Sequence, residues 1–384
     1  MPDDTAPPSP LERMPVSILT GFLGSGKTTL LKALLAHPGM NRVAVIINEF
    51  GEIGLDHTLI ESVDEDAILL NSGCLCCTVR GDLLDTMKSL YKRRAKGEVA
   101  DFDRIVIETT GLADPAPILH TMMSDGFLVT RFTLDGVVTV VDAVNAMTQF
   151  DRQFESVKQA AVADRVVLTK TDLIPEEAAQ AVEQRITAIN PAAPVLRVIS
   201  GDIDPAELFN AGLYNPMTKS SDVQRWLKEE AYRDTEGHVY HRPGEQEAED
   251  GHHHHDHGHD HSHDHSHDHA HGHHHHDVNR HDDHIRAFCL TFDEPFPWNK
   301  IAPALDMLVQ THGANLLRMK GILNVVEIDQ PVVVHAVQHL FHPPAKLDAW
   351  PDDDRRSKLV IIARDMEQDQ MTRIFNSYLA LEFA

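Results

Sequence analysis

Long apolar runs are missing from this chain. No stretch approaches the roughly 18 consecutive apolar residues of a membrane span, which excludes a helical membrane protein. The first residues, Met1-Pro-Asp-Asp-Thr-Ala-Pro-Pro-Ser-Pro10, lack the basic and apolar regions of a secretory signal. A cytoplasmic setting is therefore expected, and no membrane partner. Positive charge is also short. Lys and Arg number 34 against 59 Asp and Glu, a formal net charge of −25. That balance argues against nucleic acid as a partner. Cysteine occurs four times, yet three of the four fall in Gly73-Cys-Leu-Cys-Cys-Thr78. Neighbouring cysteines meet the geometry of a disulfide poorly. Thiolates so close suit a soft or borderline metal such as Zn²⁺ or Cu(I) instead. In a reducing compartment they stay available. Cys289 lies in the apolar run Ala287-Phe-Cys-Leu290 and reads as core.

What the chain does have begins at Gly21-Phe-Leu-Gly-Ser-Gly-Lys-Thr28, which fits the phosphate-loop pattern G-x-x-x-x-G-K-[ST] at every fixed position. Val16–Thr20 reads as a buried strand before it and Thr28–Leu35 as a helix after it. A Gly-rich turn there aims backbone N–H groups and a helix N-terminus at phosphates. Gly21, Gly24, Ser25, Gly26 and Thr29 belong to this cradle. Lys27 is expected to neutralise the β- and γ-phosphates, and the Thr28 hydroxyl to ligate Mg²⁺.

Residues 14–200 alternate strand and helix. Strands are expected at Val16–Thr20, Val43–Ile47, Ala67–Leu70, Arg104–Glu108, Val137–Val141, Arg165–Thr169 and Val195–Val198, with helices at Asp82–Leu90 and Glu176–Ile189. Their continuous apolar runs fit a doubly wound, mostly parallel sheet covered on both faces. Ligands of such sheets bind past the carboxyl ends of the strands, where all these motifs are expected to lie. Glu108-Thr-Thr-Gly111 ends one strand. Glu108 can hold Mg²⁺ or its water, and Gly111 can let backbone approach the γ-phosphate. In Thr169-Lys-Thr-Asp172, Asp172 can accept from guanine N–H groups and so favour GTP over ATP, with Lys170 beside it. In Asn48-Glu-Phe-Gly-Glu-Ile-Gly54, Glu49 and Glu52 lie where a mobile loop would meet a metal.

The division expected is an N-terminal segment over 1–13, a phosphate-loop α/β domain with helical connector over 14–240, a low-complexity linker over 241–284 and a smaller α+β domain over 285–384. In that last unit strands are expected at Ile285–Phe292, Asn315–Leu317, Leu323–Ile328, Val332–Val337 and Leu359–Ala363. Helices are expected at Ile301–Gln310 and Glu367–Tyr378. The linker holds sixteen of the 27 histidines between 252 and 277, including His252, His253, His254, His255, His273, His274, His275 and His276. With no apolar face to bury it is expected to be disordered. Its neutral imidazoles can ligate Zn²⁺, Ni²⁺, Cu²⁺ or Co²⁺ as a metal store rather than a selective site.

Together Thr20–Thr29, Asn48-Glu-Phe-Gly51, Gly73-Cys-Leu-Cys-Cys77, Glu108-Thr-Thr-Gly-Leu-Ala-Asp-Pro115 and Leu168-Thr-Lys-Thr-Asp172 give a chain that resembles the CobW family of metal-handling GTPases, relatives of the urease and hydrogenase nickel-insertion GTPases. Leu317-Arg-Met-Lys-Gly-Ile322 resembles the start of that family's second domain core. The resemblance implies Mg²⁺-dependent GTP hydrolysis, with Lys27, Thr28 and Glu108 at the catalytic centre. It implies Zn²⁺, in some members Co²⁺, bound by Cys74, Cys76 and Cys77, with Glu49 near. It also implies a metal-dependent client protein docked on the C-terminal domain; a homodimer stays open. Thr169 stands where GTPases usually carry Asn. No Gln or Arg stands out as a water-positioner, so intrinsic turnover is expected to be slow. The alternatives are a cobalt-handling GTPase of cobalamin or nitrile hydratase maturation, and a passive His-rich metal buffer.

Overall fold

The computed structural model describes residues 13–40, 42–48, 60–64, 67–70, 75–78, 83–209 and 285–381. The first unit is built on a nine-stranded sheet. In chain order its strands are β1 (Met14–Gly21), β2 (Val43–Asn48), β3 (Ile60–Asp64), β4 (Ala67–Leu70), β5 (Leu75–Thr78), β6 (Arg104–Thr109), β7 (Phe132–Asp142), β8 (Arg165–Thr169) and β9 (Val195–Val198). Across the sheet they run β3-β4-β5-β2-β6-β1-β7-β8-β9. From β5 to β9 in that order every pair is parallel, while β3 and β4 add antiparallel at one edge.

Alternation along the strands explains why both faces need cover. Val16, Ile18, Ala44, Ile46, Ile105 and Ile107 point into one apolar cluster, closed by Leu83, Met87 and Leu90 of α2 (Leu83–Ala95). Leu19, Val43, Val45, Ile47 and Val106 point into the opposite one, closed by Leu30, Leu31, Leu34 and Leu35 of α1 (Lys27–Leu35). The sheet is thus doubly wound. Among the described residues the remaining α-helices of this unit are α3 (Ala116–Ser124), α4 (Gly126–Arg131), α5 (Ala146–Arg152), α6 (Phe154–Ala161), α7 (Glu176–Ile189) and the short α8 (Pro205–Leu208).

The second unit is a six-stranded antiparallel sheet ordered β10-β15-β11-β12-β13, with β14 on β12. The strands are β10 (Ile285–Phe292), β11 (Leu316–Val325), β12 (Ile328–Val337), β13 (Leu340–Phe341), β14 (Ala345–Lys346) and β15 (Ser357–Arg364). One face packs on α9 (Trp298–His312) and α10 (Gln368–Leu379) through Leu305, Leu308, Met371 and Phe375. The other face meets the first unit. Leu317 and Ile362 enter the cluster of Val141, Phe150, Val157 and Ile186.

Polar contacts sharpen that seam. Asp164, in the loop before β8, is clamped by Arg318 and by Lys320 Nζ at 2.8 Å, both from β11. It also accepts from Val137 N at 2.9 Å. Burial works to raise the Asp164 carboxyl, but the two cations outweigh it and hold it below the usual carboxylate range. Buried His342, adjacent to the same cluster, is depressed to about 3 by desolvation first and by Arg318 second, against the pull of Asp164.

Two expectations change. Asn315–Leu317 and Leu323–Ile328 are not separate strands: β11 runs unbroken from Leu316 to Val325 and turns into β12 at Ile328. Arg318 and Lys320 break the apolar pattern but stay inside the strand because Asp164 neutralises them from the other unit. Likewise β7 starts at Phe132, before the expected Val137. Its polar Asp135 is buried against Arg104 and Ser17 Oγ.

Candidate nucleotide-binding site

The phosphate loop leaves the carboxyl end of β1, which lies between β6 and β7. Its glycines are required by the backbone. Gly21, Gly24 and Gly26 have φ of 141°, 72° and 96°, the region that L side chains avoid. A Cβ at Gly21 would also sit 2.2 Å from Val140 O. Gly26 caps α1 in the left-handed conformation and starts its hydrogen bonding with Leu30 N. Ser25 N donates to Phe22 O at 3.2 Å and closes the turn. Buried Lys27 curls into the loop, its ammonium donating to Gly21 O at 2.9 Å and Phe22 O at 3.2 Å. The loop, the ammonium and the helix N-terminus form an anion cradle.

Glu108 pairs in register with Leu19 at the end of β6. Its Oε1 accepts from Thr28 Oγ1 at 2.8 Å, and the residue is 1% exposed. A hydroxyl and a carboxylate meeting beside a phosphate cradle are the oxygen donors a hard cation such as Mg²⁺ takes. Thr109 Oγ1 donates to Thr20 Oγ1 at 2.8 Å and locks β6 to β1 one residue on. Gly111 packs against the loop itself: a Cβ there would lie 2.6 Å from Leu23 N.

The far wall comes from β8. Thr169 Oγ1 reaches Ser25 O at 2.7 Å and Val141 O at 3.1 Å, tying the phosphate loop to two strand ends. Lys170, left-handed at φ 60°, donates to Gly24 O and to Asp142 Oδ2, each at 2.8 Å. Asp142 also accepts from Val144 N and Asn145 Nδ2. Asp172 follows in a short 3-10 turn and is exposed. Thr29 and Gly24 are exposed at the same edge. The structure therefore gathers Gly21, Gly24, Ser25, Gly26, Lys27, Thr28, Glu108, Gly111 and Lys170 around one cradle.

The cysteine motif sits differently from expectation. Cys76 and Cys77 come after the expected strand Ala67–Leu70, but they lie within a further strand, β5, in register with Val45 and Ile46 of β2. Cys74, Glu49, Glu52, the sites His252–His255 and His273–His276 and the rest of the His-rich segment lie outside the described residues. Cys289 is half-buried in β10, packed beside Ile322, Val333 and Val360. Sequence reasoning missed Asp142 and Gln159. Gln159 is 1% exposed on α6 and donates from Nε2 to Gly111 O at 3.3 Å and Ala113 O at 3.0 Å. Its one sequence signal is a lone amide among the apolar residues Val157, Ala160 and Ala161.

A doubly wound sheet whose first strand runs into this cradle defines a P-loop nucleotide-binding protein. Residues 15–197 match the CobW/HypB/UreG nucleotide-binding domain, and residues 285–379 the cobalamin synthesis protein cobW C-terminal domain. The zinc chaperone YjiA of Escherichia coli is 31% identical over 94% of this chain and 97% of its own length. The zinc-regulated GTPase metalloprotein activator 1 of Schizosaccharomyces pombe is 39% identical over 54% of this chain and 51% of its own. The crystal structure of Zn(II)-bound YjiA GTPase from E. coli superimposes with a TM-score of 0.68 at 29% identity, covering 95% of this chain and 99% of that one. A triple variant of YjiA, with a glutamate and two cysteines changed to alanine, was also solved Zn(II)-bound. The chain belongs to the CobW/HypB/UreG family of P-loop GTPases.

Proposed function

We propose that the protein is a GTP-dependent metallochaperone: it binds Zn²⁺ at Cys74, Cys76 and Cys77, with Glu49 near, and couples GTP hydrolysis to handing the metal to a client. The reading rests on one arrangement above all. β2 is flanked by β5 on one side and β6 on the other, so Cys77, Ile46 and Ile107 share a row across the sheet. The cysteine strand is therefore about 10 Å, two strand spacings, from the strand that ends in Glu108. A change at the nucleotide edge has a short path, across β2, to the cysteine strand. The zinc chaperone and zinc-regulated GTPase names of its relatives agree with zinc as the cargo.

In this reading Lys27 and the loop amides hold the β- and γ-phosphates of GTP. Thr28 and Glu108 would hold Mg²⁺, which neutralises charge developing on the phosphates. Asp172 selects guanine, and Lys170 fixes that wall to the phosphate loop. Catalysis by such a site is positioning and electrostatics. Asn48–Gly54 and Glu108–Gly111 act as the segments that respond to the γ-phosphate. Coupling to zinc requires the two nucleotide states to differ in metal affinity. The His-rich segment collects metal without selecting it, the C-terminal unit receives the client, and the setting is the cytoplasm.

The test is Zn²⁺ competition against a chromophoric chelator, in a chain whose histidines between 252 and 277 are replaced by serine. That replacement matters because the YjiA triple variant still holds zinc, so ligands beyond the cysteines must be silenced. A difference of about tenfold or more between Mg²⁺-GTP analogue and Mg²⁺-GDP is expected, lost in Cys76→Ser/Cys77→Ser. Equal affinities would sink nucleotide-gated transfer and leave a passive His-rich buffer or a cobalt-handling role.

A further inference from the structure

We infer that Gln159 is a positioning residue for GTP hydrolysis, setting the Gly111–Ala113 loop against the phosphate loop from the core of α6. The inference rests on the reading of the cradle as a GTPase centre. The loop that follows Glu108 is a tight turn, Ala113 N donating to Thr110 O at 3.1 Å. Gly111 is pressed onto the phosphate loop so closely that a Cβ would meet Leu23 N and Cα at 2.6 and 2.7 Å. On its other side the loop offers two backbone carbonyls, and a single side-chain amide takes both: Gln159 Nε2 to Gly111 O and Ala113 O.

The amide can act as a fixed reference because α6 does not yield. Thr139 Oγ1 donates to Gln159 O at 2.7 Å from β7. Asn190 Nδ2 donates to Ala160 O, Ala161 O and Ala163 O and fastens the end of the helix. One residue away, Lys158 Nζ holds Asp114 Oδ2 at 3.1 Å, and Gln338 Nε2 of the C-terminal unit reaches the same oxygen at 3.1 Å. Loop position is thus set twice from α6 and once from the second unit.

The amide engages the loop through its donor end. Gln159 Oε1 is buried and has no hydrogen-bond partner among the described residues. An apolar side chain of equal length would remove that orphan acceptor, and would also take the amide donor from Gly111 O and Ala113 O. The donor end is what the loop uses. Reactions that depend on positioning are sensitive to such a contact, since a displacement of about 1 Å can cost on the order of 100-fold in rate.

The experiment compares full-length wild type with Gln159→Met, reading single-turnover GTP hydrolysis, affinity for GDP and for a non-hydrolysable GTP analogue, and Tm. The expected result is a rate lower by about 10- to 100-fold with GDP affinity within about twofold, and the GTP analogue weakened relative to GDP. A folded variant with wild-type turnover overturns the proposal. So does a parallel loss of GDP and GTP-analogue affinity with a lowered Tm, which marks a structural role only. Should the Met variant not fold, Gln159→Asn withdraws the amide by one methylene and is read the same way. A wild-type chain that turns over no GTP removes the reading of the cradle, and this proposal with it.

Discussion

The two sheets solve the same problem in opposite ways. The parallel sheet covers both faces with its own helices, and the residues on those faces are mostly Val, Ile and Leu. The antiparallel sheet covers one face with α9 and α10 and leaves the other to the first unit. That second face carries Arg318, Lys320 and His335, all buried. A sheet that is finished by its own chain neighbours pairs its few buried charges within itself, as Arg104 and Asp135 do. One that is finished by a distant unit carries charges that only the correct docking neutralises. The seam is thereby made specific, at a cost in desolvation that apolar packing would not carry.

Breaking the seam is expected to have the largest effect. Asp164→Ala leaves Arg318 and Lys320 buried without their carboxylate, and should destabilise the chain by about 3–5 kcal/mol. Urea denaturation followed by probes in both units checks it; a loss under 1 kcal/mol would show that the seam is not held by this cluster. At the other sheet, if Lys27 holds phosphate as proposed, Lys27→Ala should weaken GTP and GDP on the order of 100-fold. Titration with a fluorescent nucleotide measures that. Stability without nucleotide should move far less than in the Asp164 variant, because Lys27 serves an edge and not a seam.

A pH series sharpens the contrast. The folded chain keeps His342 neutral down to about pH 3, whereas an unfolded histidine takes its proton near 6.5. Its contribution is therefore complete above about pH 6.5 and declines as pH falls toward 3, by up to about 1.4 kcal/mol per pH unit. Between pH 6.5 and 4.5 the slope of stability should flatten in His342→Asn. An unchanged slope would assign it to another group. The smallest effect belongs to Thr169→Val, which gives up the hydroxyl's contacts with Ser25 O of the phosphate loop and Val141 O of β7. It should cost about 1 kcal/mol, read as roughly fivefold weaker GDP binding. No change would mean Ser25 O is held well enough by the loop's own turn.

Much of this molecule is legible in one dimension. Arg165–Thr169, Val195–Val198, Glu176–Ile189 and Ile285–Phe292 stand in the structure with the bounds their patterns predict. The phosphate loop is legible because its glycines, lysine and threonine are local requirements of one turn. What escapes the sequence depends on partners far along the chain. β7 looks shorter than it is because Asp135 resembles a loop residue until Arg104 is placed beside it. β11 looks broken because Arg318 and Lys320 resemble a turn until Asp164 arrives. Gln159 belongs to no motif; its meaning lies in two carbonyls of a loop that precedes it by more than forty residues. The cysteine strand was displaced for a related reason, since nothing local tells a metal-binding turn from a sheet strand.

The strand order also fixes a timetable for synthesis. β1 leaves the ribosome well before β6 and β7, which are its neighbours in the sheet. The bond from Ser17 to Asp135 spans 118 positions. Val16 pairs with Ile105 of β6, so β1 waits roughly 90 residues for its first strand neighbour and longer for β7, and parallel pairing of this kind is slow to form. β11 and β12, by contrast, are joined by a turn of two residues and can pair as soon as they appear. The apolar strand that will carry the phosphate loop is thus left unpaired for longer during translation than β11 or β12, and the hazard of nascent-chain aggregation is greater there.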